Sequence, residues 1–125
     1  MNGRNDGELA IAKDRQETDG GDLVVVEVNG DLDMAAADRF AAALVPDEET
    51  GRAATVIDLT GVGFIDSSGI RVLLAADRAL GEAGYRSAVV VAVGSAVARA
   101  LELAGVDETV NAFPTRAEAI DGLAR

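Results

Sequence analysis

The chain contains no cysteine, no histidine and no tryptophan. Without cysteine there is neither a disulfide framework nor a thiol nucleophile. Without histidine a Ser-His-Asp arrangement cannot be built, and zinc and copper lose their commonest ligand. Lys13 is the single lysine, which makes a Ser-Lys dyad hard to assemble. Nothing matches the phosphate-binding pattern G-x-x-x-x-G-K-[ST]. Aromatic residues are confined to Phe40, Phe64, Phe113 and Tyr85. Apolar runs such as Ala88 to Val93 are far shorter than the ~20 residues a membrane-spanning helix needs. The opening stretch MNGRNDGELAIAKDRQ is polar and lacks the apolar centre of a signal peptide. These absences lead us to expect a cytoplasmic protein with no membrane contact, cofactor or metal.

What is present is small, aliphatic and acidic. The chain has 125 residues, the size of one domain. Its apolar residues are mostly Ala, Val and Leu, as suits helices lying close on a sheet. Lys and Arg number 11 against 22 Asp and Glu, a formal charge of −11. That charge repels nucleic-acid phosphates and anionic lipids. It serves solubility, and it equally suits a partner with a basic face.

Periodicity gives the order of elements. ELAIAKDRQ alternates weakly and reads as an edge strand, joined through TDGGD by a loose turn to LVVVEVNG. Val24, Val26 and Val28 should face one way, Val25, Glu27 and Asn29 the other. Asp33 is a candidate N-cap for a helix whose apolar face runs Ala37, Phe40, Ala41, Leu44 and Val45, ended by Pro46 and DEETG. ATVIDLT reads as a strand with one half-solvated face, and GVGFID as a loop. A second helix is expected from about Ser68 to Glu82, with Val72, Leu73, Ala76, Leu80 and Ala83 inward and Gly84 as C-cap. SAVVVAV reads as a buried central strand. Ser95 caps a short helix that Gly105 stops, and ETVNAF is a last strand. The TRAE sequence, Thr115 to Glu118, is a capping box for a final helix with Ile120 and Leu123 inward. This alternation implies an α/β fold with a largely parallel sheet and right-handed crossovers. Residues 1–6 read as a loose tail and residues 7–125 as one domain.

The chemistry-bearing stretch is Asp66-Ser67-Ser68-Gly69. Serine is a common helix cap, but a cap needs one hydroxyl and two are present. A G-x-S-x-G nucleophile elbow is absent, because Ile65 and Asp66 stand where the first glycine would be. Asp31, Asp33 and Asp66 are hard oxygen ligands for a divalent metal, though three carboxylates in so acidic a chain are more often solvated. The hydroxyl can instead be a substrate. A serine at an exposed helix start can accept a phosphate, whose charge the helix dipole and amides tolerate. Beside Asp66, and near Asp31 and Asp33, that charge would switch off a docking surface without unfolding the domain.

Three segments carry a resemblance to a known family: NGDLD, VIDLTGVGFIDSSGIRVLL and GSAVARALELAGVDETV. In this order and spacing they resemble the STAS family (sulfate transporter and anti-sigma factor antagonist), specifically its small bacterial anti-sigma factor antagonists. The resemblance implies the STAS fold: a mixed, mostly parallel sheet of four or five strands with about four helices packed largely on one face. It implies a non-enzymatic partner switch. The unphosphorylated antagonist binds an anti-sigma factor, itself a serine kinase of the GHKL ATPase type, and so frees a sigma factor. Phosphorylation at Ser67, with Ser68 second, breaks that complex, and a metal-dependent serine phosphatase resets it. The implied docking residues are Asp31, Asp33, Asp66, Ser67, Ser68, Gly69 and Arg71, on a monomer or weak dimer. Two positions depart from the family's usual pattern. Asp31 stands for a Glu, and Arg71 for a small residue. On a helix Arg71 reaches a phosphate at Ser67, blunting its repulsion, or is simply solvated. A second reading from the same family is a scaffold or accessory subunit of a transporter or lipid-export ATPase.

Overall fold

The computed structural model describes residues 8–18, 21–45 and 54–123. The expected tail and the Pro46-DEETG stop lie outside these residues. Five strands form one sheet in the order of the chain: β1 (Ala10–Thr18), β2 (Gly21–Leu32), β3 (Ala54–Ile65), β4 (Arg86–Val90) and β5 (Ala112–Phe113). β1 runs antiparallel to β2; the other three pairings are parallel. The helices are α1 (Ala37–Ala43), preceded by a 3-10 turn over Met34–Ala36, then α2 (Ser67–Glu82), α3 (Ala96–Ala104) and α4 (Arg116–Leu123).

The alternation of β2 sets the two faces of the sheet. Val24, Val26 and Val28 join Ile57, Leu59 and Val89 in the larger core, under Phe40 of α1, Leu73 of α2 and Val97 and Leu101 of α3. Leu23, Val25, Val56, Ala88 and Val90 form a thinner core under Ala119 and Leu123 of α4. Three helices therefore cover one face and α4 the other.

Capping chemistry ends the helices where the sequence indicates. Ser95 Oγ accepts from the Ala98 N–H at 3.1 Å. Gly105 stops α3 in the left-handed region, at φ 73°, which a glycine adopts without a Cβ clash. Thr115 Oγ1 accepts from the Glu118 N–H at 3.1 Å.

Several expectations are corrected. GVGFID is not a loop: β3 continues to Ile65, because two register shifts against β2 absorb the extra residues. The hairpin pairs as far as Thr18 opposite Gly21, and the turn itself lies outside the described residues. β4 ends at Val90 and lies beside the central β3, while Val93 is exposed. ETVNAF supplies only Ala112–Phe113 to the sheet, since the chain before it winds in turns, with the Val110 N–H on the Val106 carbonyl at 3.0 Å. Ala41, Val45 and Ala83 are exposed: Val45 lies beyond the end of α1 at Ala43, and Ala83 is the C-cap of α2. Ile120 is half-buried, and Ala119 takes the inward place beside Leu123.

The half-solvated face assigned to β3 is also wrong at Asp58, which is buried at 5% exposure. Arg116 at the start of α4 reaches across the sheet to it, Nε at 3.0 Å and Nη2 at 2.6 Å from Oδ2, and Nη2 also meets Glu27 Oε2 at 3.0 Å. Thr60 donates its N–H and hydroxyl to Asp58 Oδ1 at 2.9 and 2.7 Å. Burial alone would raise the Asp58 pKa; the Thr60 and Arg116 hydrogen bonds outweigh it and hold the carboxyl below its usual range. The pair thus fixes the N-terminus of α4 to the sheet.

Candidate functional site

Two neighbouring strands finish in the same way. β2 closes on Gly30-Asp31-Leu32 and β3 on Gly63-Phe64-Ile65, and each is followed by an aspartate. Asp31 stands opposite Phe64 and Leu32 opposite Ile65 in the parallel register. Asp33 and Asp66 therefore leave the sheet from adjacent strands, which lie about 4.8 Å apart.

Each aspartate launches the helix that follows it. Asp33 Oδ1 accepts from the Ala36 N–H at 3.1 Å. Asp66 Oδ1 accepts from the N–H groups of Ser68 at 2.8 Å and Gly69 at 3.2 Å. The cap of α2 is therefore Asp66 and not Ser68, and the helix starts at Ser67, one residue earlier than expected. Asp66 is already extended backbone at the end of a strand, the conformation a cap requires. Its N–H donates to the Leu32 carbonyl at 3.2 Å, which ties the two strand ends together.

Gly69 belongs to this packing and not to an open docking face. It is buried, and a Cβ there would lie 2.7 Å from the Leu32 carbonyl oxygen, 2.8 Å from Ile65 Cγ1 and 2.9 Å from Leu32 Cβ. Its missing side chain lets the first turn of α2 rest on the ends of β2 and β3.

The outer surface of this corner carries the other expected residues. Ser67 and Arg71 are exposed one helical turn apart on α2; Ser68, Asp66, Asp33 and Asp31 are half-buried. Among the described residues neither the Ser67 hydroxyl nor the Arg71 guanidinium has a hydrogen bond or ion pair. Asp33 and Asp66 each use a carboxylate oxygen on backbone amides. No group of three or more His, Cys, Asp or Glu among the described residues is arranged to hold a metal ion.

Two apolar side chains at the site escaped the sequence reading. Phe64 is 50% exposed and Met34 is 77% exposed. Phe64 sits opposite Asp31, and Met34 follows Asp33 directly. The signal for Phe64 was present in the alternation: with Ile65 inward, its strand neighbour must point out. Reading the segment as a loop hid it. An exposed phenylalanine and methionine among carboxylates form a surface that an apolar, partly basic partner would cover.

The profile of the STAS domain family matches residues 12–119. The chain belongs to the STAS domain family. It is 33% identical over 104 residues to the anti-sigma-F factor antagonist RsfB of Mycobacterium tuberculosis, covering 81% of each chain. The crystal structure of an anti-sigma factor antagonist from Mycobacterium paratuberculosis superposes with a TM-score of 0.76 at 29% identity, covering 93% of this chain and 96% of that one. The Bacillus cell fate determinant SpoIIAA in its phosphorylated form shares the fold at 23% identity and a TM-score of 0.60, covering 91% of this chain and 99% of that one. No helix among the described residues is long and apolar enough to cross a membrane.

Proposed function

We propose that this chain is an anti-sigma factor antagonist, a cytoplasmic partner switch that catalyses no reaction and is controlled by phosphorylation of Ser67. The observation that carries the reading is the free, exposed hydroxyl of Ser67 at the first turn of α2. It stands in a STAS chain whose relative RsfB is an anti-sigma-F factor antagonist.

The arrangement supports a switch in three ways. Ser67 takes no part in capping, because Asp66 already does so, so a phosphate displaces nothing in the fold. The hydroxyl is displayed beside Phe64, Met34, Asp31 and Asp33, which form the docking surface of the unphosphorylated protein. A phosphate adds about −1.5 to −2 charges to a corner that already holds three carboxylates. Like charges pressed together at an interface cost several kcal/mol, enough to dissociate a complex that apolar contacts hold.

The partner in this reading is an anti-sigma factor that is also a GHKL-type serine kinase. In the transfer, Ser67 Oγ forms a bond to the γ-phosphorus of ATP, the bond to ADP breaks, and the hydroxyl proton passes to a base of the kinase. A metal-dependent serine phosphatase hydrolyses the ester and returns the serine.

The test is phosphorylation by a candidate anti-sigma factor with ATP, mapped by mass spectrometry, beside affinity measurements. Phosphate is expected on Ser67. Ser67→Ala should bind with unphosphorylated affinity whether or not ATP is present. Ser67→Asp should bind at least tenfold more weakly, about 1.4 kcal/mol. Phosphate found only outside Ser67 and Ser68, or equal binding by the two variants, would overturn the reading.

A further inference from the structure

We propose that Arg71 is the intramolecular counter-charge for a phosphate on Ser67, so that phosphorylation both adds negative charge to the docking surface and withdraws a cation from it. The inference rests on Ser67 being the acceptor.

A phosphate at a helix start ordinarily finds free backbone N–H groups. Here they are taken. The Ser68 and Gly69 N–H groups donate to Asp66 Oδ1 at 2.8 and 3.2 Å. The Ile70 N–H donates to the Asp66 carbonyl at 3.0 Å, and the Asp66 N–H to the Leu32 carbonyl at 3.2 Å. Only the Ser67 N–H of this turn is left without an acceptor among the described residues. The carboxylate that occupies the amides also repels the incoming phosphate, as do Asp31 and Asp33 at the neighbouring strand end. The phosphate must be neutralised by a side chain.

Arg71 is placed to do this. It is four residues after Ser67 on α2, on the same exposed stripe. Helical side chains lean toward the N-terminus, so its guanidinium reaches back over the Ser67 turn. An anion N-terminal to a cation at this spacing is the favourable orientation on a helix. Arginine also matches two phosphate oxygens at once. Among the described residues Arg71 has no competing partner. Before phosphorylation the same guanidinium has no partner among the described residues and is a basic group on an acidic corner, available to a carboxylate of the docking partner. The phosphate then competes with that partner for it.

The experiment uses full-length protein with phosphoserine placed at position 67 by codon reassignment, so no kinase is involved. Phosphorus NMR titration gives the second pKa of the phosphate. With Arg71 it should lie roughly half a unit below its value in Arg71→Gln, with Arg71→Lys between, as expected of an exposed ion pair. The gap should narrow as salt rises from 0.1 to 1 M. Equal pKa values in the Arg and Gln proteins would overturn the clasp. In unphosphorylated protein Arg71→Gln should weaken partner binding several-fold; unchanged affinity would overturn the withdrawal of the cation. Failure of a kinase to modify Ser67 would instead refute the acceptor assignment and leave these measurements standing.

Discussion

Two glycines on α2 should respond in opposite directions to the same substitution. At Gly69 an alanine Cβ would press on the Leu32 carbonyl oxygen at 2.7 Å, on Ile65 Cγ1 at 2.8 Å and on Leu32 Cβ at 2.9 Å. None of these is the free end of a flexible side chain. The carbonyl is backbone that also accepts the Asp66 N–H, and Leu32 and Ile65 are both in the core. Overpacking of this kind costs about 1–3 kcal/mol, against a helix-propensity gain of up to about 1 kcal/mol for Gly to Ala. The net expectation is a loss of about 1–2 kcal/mol. At Gly81, in the same helix, a Cβ would meet nothing within 4 Å. Gly81→Ala should therefore stabilise by about 0.5–1 kcal/mol. Urea unfolding of the two variants beside the native chain measures both, and in thermal unfolding the midpoint temperatures should move by roughly 3–5 °C per kcal/mol at this size. If Gly69→Ala proved as stable as the native chain while Gly81→Ala gained as expected, the close seating of α2 on the strand ends would be refuted. A destabilised Gly69→Ala should also bind its partner less well, because the same contact sets the position of Ser67.

Three further outcomes follow from the geometry. Asp66→Ala removes two capping hydrogen bonds and should cost about 1–2 kcal/mol in urea unfolding, whereas Asp66→Asn should retain most of it. Arg116→Ala should cost about 1–2 kcal/mol at neutral pH, the lower end for a broken pair because Arg116 is itself 38% exposed and Thr60 still bonds Asp58. Because the folded-state pKa of Asp58 is depressed, its stabilisation is complete above the unfolded pKa and fades as pH falls through the folded one. The gap between native and Arg116→Ala proteins should accordingly shrink below about pH 4 and stay constant from pH 5 to 8. Phe64→Ser should leave the unfolding midpoint nearly unchanged, since the ring is half exposed, but weaken partner binding by an order of magnitude or more in calorimetry.

The sequence made much of this legible, and the misses share a cause. Ser95 and Gly105 mark α3, and Thr115 marks α4, because a cap acts within three or four residues of itself. The valines of β2 divide between the two cores as their alternation requires. What failed depended on partners distant in the chain. Gly61 and Gly63 look like loop residues until β2 lies beside them; a Cβ at Gly61 would fall 1.8 Å from Asn29 Oδ1, so the glycine is there to admit that side chain. Asp58 looks solvated until Arg116, 58 residues later, is folded over it. Gly69 reads as a docking residue until the Leu32 carbonyl of another strand fills the space beside it. At the site, the stretch around Ser67 was visible as a motif. The division of labour within it was not, since both serine and aspartate can cap a helix.

That division decides what kind of switch the corner can be. Had Ser67 or Ser68 capped α2 through its hydroxyl, esterification would have removed the cap, and control would have worked by loosening the helix. With Asp66 as cap, a phosphate on Ser67 would arrive on a hydroxyl that has no hydrogen bond among the described residues, at the end of a helix tied to two strands. Its structural consequence would be confined to the surface, and the proposed switch would act on charge alone. Charge on an exposed surface is screened by salt and is easily offset by one nearby cation. The degree of switching therefore depends on where Arg71 goes. Left free in both states, it would merely subtract from the added negative charge. Drawn from the partner onto the phosphate, as proposed, it would make one modification count twice.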